Sequence, residues 1–190
     1  LFFLDPEARH PKPMRGSGVI YSIGHSNRTI DDFIALLMEN EISLLVDVCS
    51  VPHSSTNPQF NTENLPESLE RLAIRYLYIP GWCGLRGKNK LLPKSPNDNW
   101  ENASFRNYAD YANTEEFRVG LHEVLEMARN DRIAFMCSEA VWWKCHRRII
   151  TDYLLVSGLE VFHIMAPGKV TVATINESAV VHEDFSITYP

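Results

Sequence analysis

Apolar positions along this chain fall into short continuous runs separated by longer amphipathic segments. Val19-Ile-Tyr-Ser-Ile23 is the first run and predicts a strand. Thr29 then stands before Ile30-Asp31-Asp32, the arrangement of a helix N-cap followed by acidic first-turn residues. Phe33, Ile34, Leu36 and Leu37 give that helix an apolar stripe. Ile42 to Val48 is almost wholly apolar, as in a parallel strand buried on both faces. A helix is predicted over about Pro66 to Ala73 and a third strand over Arg75 to Ile79. From Pro80 to Asn102 the Gly and Pro positions predict a long loop, a type of connection that often carries function. Helices follow at Phe105 to Ala112 and Thr114 to Arg129, the second with Phe117, Leu121, Val124, Leu125 and Ala128 on one face. Arg132 to Cys137 reads as strand four, Lys144 to Ser157 as a helix closed by Gly158, and Leu159 to Ile164 as strand five. The tail from Val170 offers short edge strands.

Strands alternating with helices predict an α/β protein with right-handed crossovers. The expected architecture is a single-domain, three-layer Rossmann-like fold with a mainly parallel sheet of about five strands. Residues 1–17 carry three Pro and no periodicity, so they are expected to form an extended arm, with 18–190 as the α/β domain. In such a sheet every strand points the same way. The residues after strands one, two and four should then share one edge, where open α/β sheets bind ligands.

That edge concentrates the candidate chemistry. Gly24, His25 and Ser26 follow strand one; Asp47 and Ser54 follow strand two; Arg86 lies beyond strand three. Strand four leads into Cys137-Ser-Glu139 and then Trp142-Trp-Lys-Cys-His-Arg147. A thiol near cations or a helix start is a candidate nucleophile. Cys137, Glu139, Cys145 and His146 are therefore the candidate catalytic residues. Each also has a plain structural reading. Cys137 can be a buried strand residue, Cys145 can pack with Ile149 and Tyr153, Glu139 can be a first-turn acid, and His146 a surface residue. Gly24, His25, Ser26, Asp47, Ser54, Arg86, Trp143 and Arg147 are the candidate ligand-binding residues. Arg147 suits a planar two-point contact to an anion, and Trp143 suits stacking on a flat ring. Asp47, ending an apolar strand, needs a partner, for which His25 and Arg147 are candidates.

Composition narrows the classes. The chain has 190 residues, 45% of them hydrophobic, and a net charge of −6, which argues against a mainly electrostatic nucleic-acid binder. Local basic groups at Arg86, Lys88, Lys90 and Lys94 keep nucleic acid open as a partner. Four Cys without a C-x-x-C fit reduced thiols in the cytoplasm. The absence of a long apolar run argues against a membrane partner. No metal set is assigned, although His25, His53, Cys137, Cys145, His146 and His163 include zinc-type donors. Gly81 to Lys88 fails the phosphate-loop spacing, no G-x-G-x-x-G follows strand one, and Trp143 stands where a phosphatase-type loop needs Arg. The cofactor and the oligomeric state stay open.

Ile23-Gly-His-Ser26, Asp47-Val48 with Pro52 and Ser54, Phe60, Gly84, Phe105 to Ala109, Cys137-Ser-Glu139 and Cys145-His-Arg147 together resemble the family called domain of unknown function 488. The resemblance runs from about Ile23 to His163 and implies an α/β fold without an agreed activity. The family usually has Arg where this chain has Cys49, a further basic residue where it has His53, and Ala where it has Ser138. The region from Val172 to Glu177 also departs from the family pattern. The expected function is an enzyme acting on a small anionic or aromatic ligand, such as a nucleotide or nucleic-acid base. The alternatives are a non-catalytic binding module for the same ligands and a metal-dependent hydrolase.

Overall fold

The structure is a computed structural model that describes residues 18–51 and 53–190. The expected arm at 1–17 lies outside the described residues, as does Pro52.

Six strands form the main sheet. In chain order they are β1 (Val19–Gly24), β2 (Leu44–Asp47), β3 (Arg75–Tyr78), β4 (Ile133–Cys137), β5 (Glu160–Ala166) and β6 (Lys169–Val172). Their spatial order is β3-β2-β4-β1-β5-β6. The first five are mutually parallel; β6 runs antiparallel to β5. The expected sheet of about five parallel strands is therefore present, with one edge strand added. β2 and β4 are buried at every position, whereas β6 is exposed at every position. This is the burial expected of central parallel strands and of an edge. Val180–Val181 and Ile187–Thr188 make a separate two-stranded ribbon, β7 and β8.

Five helices complete a three-layer, Rossmann-like arrangement: α1 (Ile30–Glu39), α2 (Leu65–Glu70), α3 (Ala103–Ala112), α4 (Glu115–Met127) and α5 (Arg147–Val156). Thr29 caps α1 as expected, accepting from the Asp32 N–H at 3.1 Å. Thr114 caps α4 in the same way, and Asn102 caps α3 from the Ser104 N–H at 2.8 Å. The core runs through Ile20, Ile23, Phe33, Leu45, Val46, Phe135, Ile149 and Leu154.

One helix starts later than the sequence pattern predicts. Trp142–Lys144 is a separate 3-10 turn, and Cys145 is extended (φ −127°, ψ 150°). The last helix then begins at Arg147. Cys145 therefore lies just ahead of the helix, and its carbonyl accepts the Arg148 N–H at 3.1 Å.

Candidate functional site

β1 and β4 are central neighbours, and their pairing continues past both strand ends. The His25 N–H donates to the Cys137 carbonyl and the Ser26 N–H to the Ser138 carbonyl, each at 3.0 Å. A Cβ at Gly24 would overlap the Glu139 carbonyl oxygen, so only Gly lets the two segments lie this close. Ser26 has φ 49°, a left-handed turn that reverses the chain above the sheet edge.

A cleft of about 630 Å³ opens over this edge. His25, Ser26, Asn27, Cys49, Ser54, Asn57, Phe60, Asn61 and Glu139 are among the residues that line it. The His25 ring stacks on Phe60, with centroids 4.2 Å apart. Its Nδ1–H donates to the Ser26 carbonyl at 2.9 Å, so in the neutral ring Nε2 keeps a free lone pair. Burial lowers the His25 pKa, partly offset by the Ser26 carbonyl. Ser54 accepts from the Asn57 N–H at 3.0 Å and so folds the cleft wall.

Cys137 ends β4 and is 7% exposed; it does not itself line the cleft, but the next two residues, Ser138 and Glu139, do. The Sγ atoms of Cys137 and Cys145 and a ring nitrogen of His146 all lie within 4.8 Å of one another. Cys49 also reaches the Cys137 thiol. Hydrogen bonds from Cys145 and then Cys49 hold the Cys137 thiol well below its ordinary pKa against the opposing effect of burial, and the Arg147 charge adds to them. Burial and the Cys137 charge push Cys145 up; the hydrogen bond to Cys137 and burial do the same to Cys49. The three shifts favour negative charge on Cys137 over Cys145 and Cys49.

Arg147 and His146 fix the frame around these thiols. Arg147 is 1% exposed. Its guanidinium donates to Cys145 Sγ at 3.4 Å, Ser22 Oγ at 3.1 Å and the Glu139 carbonyl at 2.5 Å. Among the described residues it makes no ion pair with a carboxylate. His146 donates Nε2–H to the Val48 carbonyl at 3.1 Å, leaving the Nδ1 lone pair 3.5 Å from Cys145 Sγ. Burial lowers its pKa, so the ring is neutral near pH 7. A Cβ at Gly84 would strike this ring, which is why the long loop carries Gly there.

Asp47 is fully buried, but neither His25 nor Arg147 is its hydrogen-bond partner, contrary to expectation. It accepts from the Cys49 N–H at 2.8 Å and the Tyr76 hydroxyl at 2.7 Å. Burial still raises its pKa. Asp47 thus shapes the turn that presents Cys49. Glu139 is half-buried at the rim, where its carboxylate accepts weakly from the Val141 N–H at 3.3 Å.

Five candidate ligand-binding residues do not line the cleft: Gly24 and Asp47, described above, and Arg86, Trp143 and Arg147. Arg86 is tied into its own loop, donating to the Cys83 and Pro80 carbonyls at 3.0 and 2.6 Å and lying 3.7 Å over Tyr111. It does not line the cleft. Trp143 is 45% exposed and packs edge-on against Trp142, away from the cleft. The guanidinium of Arg147 points its hydrogen bonds inward, at protein atoms. Trp142 instead stacks on His163 and lines a second hollow with Trp100 and Arg148. Tyr76, Asn57 and Asn61 join the site without any mark in the sequence pattern. Only the β2–β3 register, which puts Tyr76 on the strand beside Asp47, could have signalled the first.

A family model described as Domain of unknown function DUF488 matches residues 29–154. The chain belongs to that family. The match takes in Asp47, Cys49, Cys137, Glu139, Cys145, His146 and Arg147; Gly24 to Ser26 lie just ahead of it. No curated protein and no solved structure matches the chain. Among the described residues, no helix is long and apolar enough to cross a membrane.

Proposed function

We propose that this DUF488 protein is a cysteine-dependent enzyme in which the Cys137 thiolate attacks a small polar ligand held in the cleft. The state of Arg147 carries this reading. A guanidinium stays protonated in proteins, and a buried charge needs a counter-charge. Arg147 is buried without a carboxylate partner among the described residues, and its Nε–H donates to a thiol of the cluster. The negative charge that balances it is then a thiolate, and Cys137, with thiol donors on two sides, is where that charge is best held. Cys145 and Cys49 act as donors, neutral His146 positions Cys145, and the Glu139 carboxylate at the rim transfers protons.

The lining suggests the ligand class. Asn27 and Asn57 offer donors and acceptors, Asn61 offers its amide N–H groups while its Oδ1 accepts from the Ser54 N–H, and the His25–Phe60 stack offers an aromatic wall. Among the described residues, no Lys or Arg lines the cleft. A nucleobase, or the base end of a nucleotide, fits that chemistry better than a densely anionic ligand. A binding module would use the same wall without turnover. The N/S donor set of Cys137, Cys145 and His146 also suits a soft metal such as zinc, and this favours a metal-dependent reading second.

The test is calorimetry and product analysis with nucleoside monophosphates, comparing wild type, Cys137→Ser and Asn61→Ala. Asn61→Ala should weaken binding. Cys137→Ser should bind within about threefold of wild type and lose turnover, since a hydroxyl is a far weaker nucleophile. Turnover that survives in Cys137→Ser contradicts the proposal. Binding with no turnover in wild type is the outcome for a binding module. Stoichiometric zinc that is lost in Cys137→Ser supports the metal reading.

A further inference from the structure

The thiol pair at the head of α5 is asymmetric in a way that a single nucleophile does not require. Cys137 and Cys145 have sulfurs within 4.8 Å, and both side chains are buried. A disulfide needs about 2.0 Å between sulfurs. Cys145 sits on an extended residue between the 3-10 turn and α5, outside both, so it can approach Cys137 without unwinding the helix. It also has its own proton acceptor and its own cation. The Nδ1 lone pair of His146 lies 3.5 Å from Cys145 Sγ, and the Arg147 Nε–H donates to the same sulfur at 3.4 Å. Neither feature is needed by a thiol that only donates a hydrogen bond. Both are what a second, attacking thiol needs.

We propose that Cys137 and Cys145 form a reactive dithiol that reduces small hydroperoxides, with Cys137 attacking and Cys145 resolving. This names the substrate class of the same site and rests on Cys137 being the nucleophile. In the first step the Cys137 thiolate attacks one peroxide oxygen. An S–O bond forms, the O–O bond breaks, and the leaving alkoxide or hydroxide takes a proton from water. Cys137 becomes a sulfenic acid, oxidised by two electrons, and the peroxide is reduced to alcohol or water. In the second step Cys145 gives its proton to His146 Nδ1 while Arg147 supports the charge developing on sulfur. The Cys145 sulfur attacks the Cys137 sulfur, an S–S bond forms, and the S–O bond breaks. The departing hydroxide takes the proton from His146 and leaves as water. A low-molecular-weight dithiol then returns the pair to the reduced state by thiol–disulfide exchange, becoming a disulfide itself. Burial of Cys137 favours a small oxidant over a bulky disulfide as the first electrophile. Cys49 also lies beside Cys137, but its thiol is hydrogen-bonded to the buried Asp47 carboxylate, whose charge opposes a thiolate there, and the Arg147 guanidinium donates to Cys145 and not to Cys49.

The test uses the full chain, reduced and checked for bound metal, treated with one equivalent of hydrogen peroxide at pH 7. Peptide mapping under non-reducing conditions should find a Cys137–Cys145 link and a loss of two hydrogens, with Cys49 and Cys83 unmodified. Peroxide consumption should exceed that of free cysteine by about tenfold or more, because a free thiol is only a few per cent ionised at this pH. In Cys145→Ser, Cys137 should remain a sulfenic acid that dimedone traps. His146→Asn should slow disulfide closure more than it slows sulfenic acid formation, so that the sulfenic acid accumulates and dimedone traps it. A Cys49–Cys137 link, indiscriminate oxidation of all four thiols, or consumption no faster than free cysteine overturns the proposal. If Cys137 alkylates readily at low pH yet no Cys137–Cys145 link forms, the dithiol proposal fails while the nucleophile stands. If Cys137 is inert to both reagents, both fail.

Discussion

Replacing Arg147 with Met removes a cation that is 1% exposed and donates to Cys145, Ser22 and Glu139. Met fills similar space without the charge, so the loss is chiefly electrostatic and hydrogen-bonding. Removing one partner of a buried ion pair costs about 3–5 kcal/mol, because the other charge is left uncompensated. If the partner is the Cys137 thiolate, the penalty depends on Cys137 being present. In a Cys137→Ala background there is no negative charge to strand, and the cost of Arg147→Met should fall by about 1–3 kcal/mol, the coupling expected within one network. Urea unfolding of the four proteins at pH 8 under reducing conditions measures this directly. The coupling should also depend on pH. Cys137 has a folded pKa below its unfolded value, so its contribution is fully present above the ordinary thiol pKa and is lost as pH falls through the folded one. Equal costs of Arg147→Met in both backgrounds, within about 0.5 kcal/mol, would refute the reasoning: the guanidinium would then be balanced elsewhere.

Other outcomes follow from the same geometry. Gly24→Ala should cost about 1–3 kcal/mol through overpacking against the Glu139 carbonyl. Gly87→Ala, where nothing lies within 4 Å, should leave the melting temperature nearly unchanged. Tyr76→Phe withdraws a 2.7 Å donor from buried Asp47 and should destabilise by about 1–3 kcal/mol in chemical denaturation. Burial pushes His163 down to about 4 from 6.5, so it contributes stability above 6.5 that is lost as pH falls to about 4. His163→Phe, which keeps the stack on Trp142, should flatten the acid limb of stability by up to about 3 kcal/mol; an unchanged limb would show that His163 is charged in the fold.

The sheet was legible because β2 and β4 are continuous apolar runs and Thr29 and Thr114 cap their helices through short-range chemistry. Convergence of His25 with Cys137 was legible for the same reason: parallel strands put their ends on one edge. Three things were not. The helix start slid from Lys144 to Arg147 because Trp142 and Trp143 make a 3-10 turn that no periodicity marks. Arg86 and Arg147 look alike in a sequence as cations, yet one grips its own loop and the other is sealed beneath the cleft. Tyr76 serves Asp47 across a pairing of β2 with β3, and only the folded register brings that donor to the acid. Cys49 stood in the sequence as a departure from the family's usual Arg. In the fold it places a third thiol beside Cys137, so the difference changes the electrostatics of the Cys137 thiol.

The most direct test of the account is the rate at which Cys137 in the folded, reduced chain reacts with methyl methanethiosulfonate as a function of pH, mapped to each cysteine by mass. The account predicts that Cys137 reacts first and that its rate is already at its plateau well below the ~8.5 of a free thiol, with Cys49 and Cys145 slow across the same range. A Cys137 rate that rises only above that value, or Cys145 reacting ahead of Cys137, would contradict it.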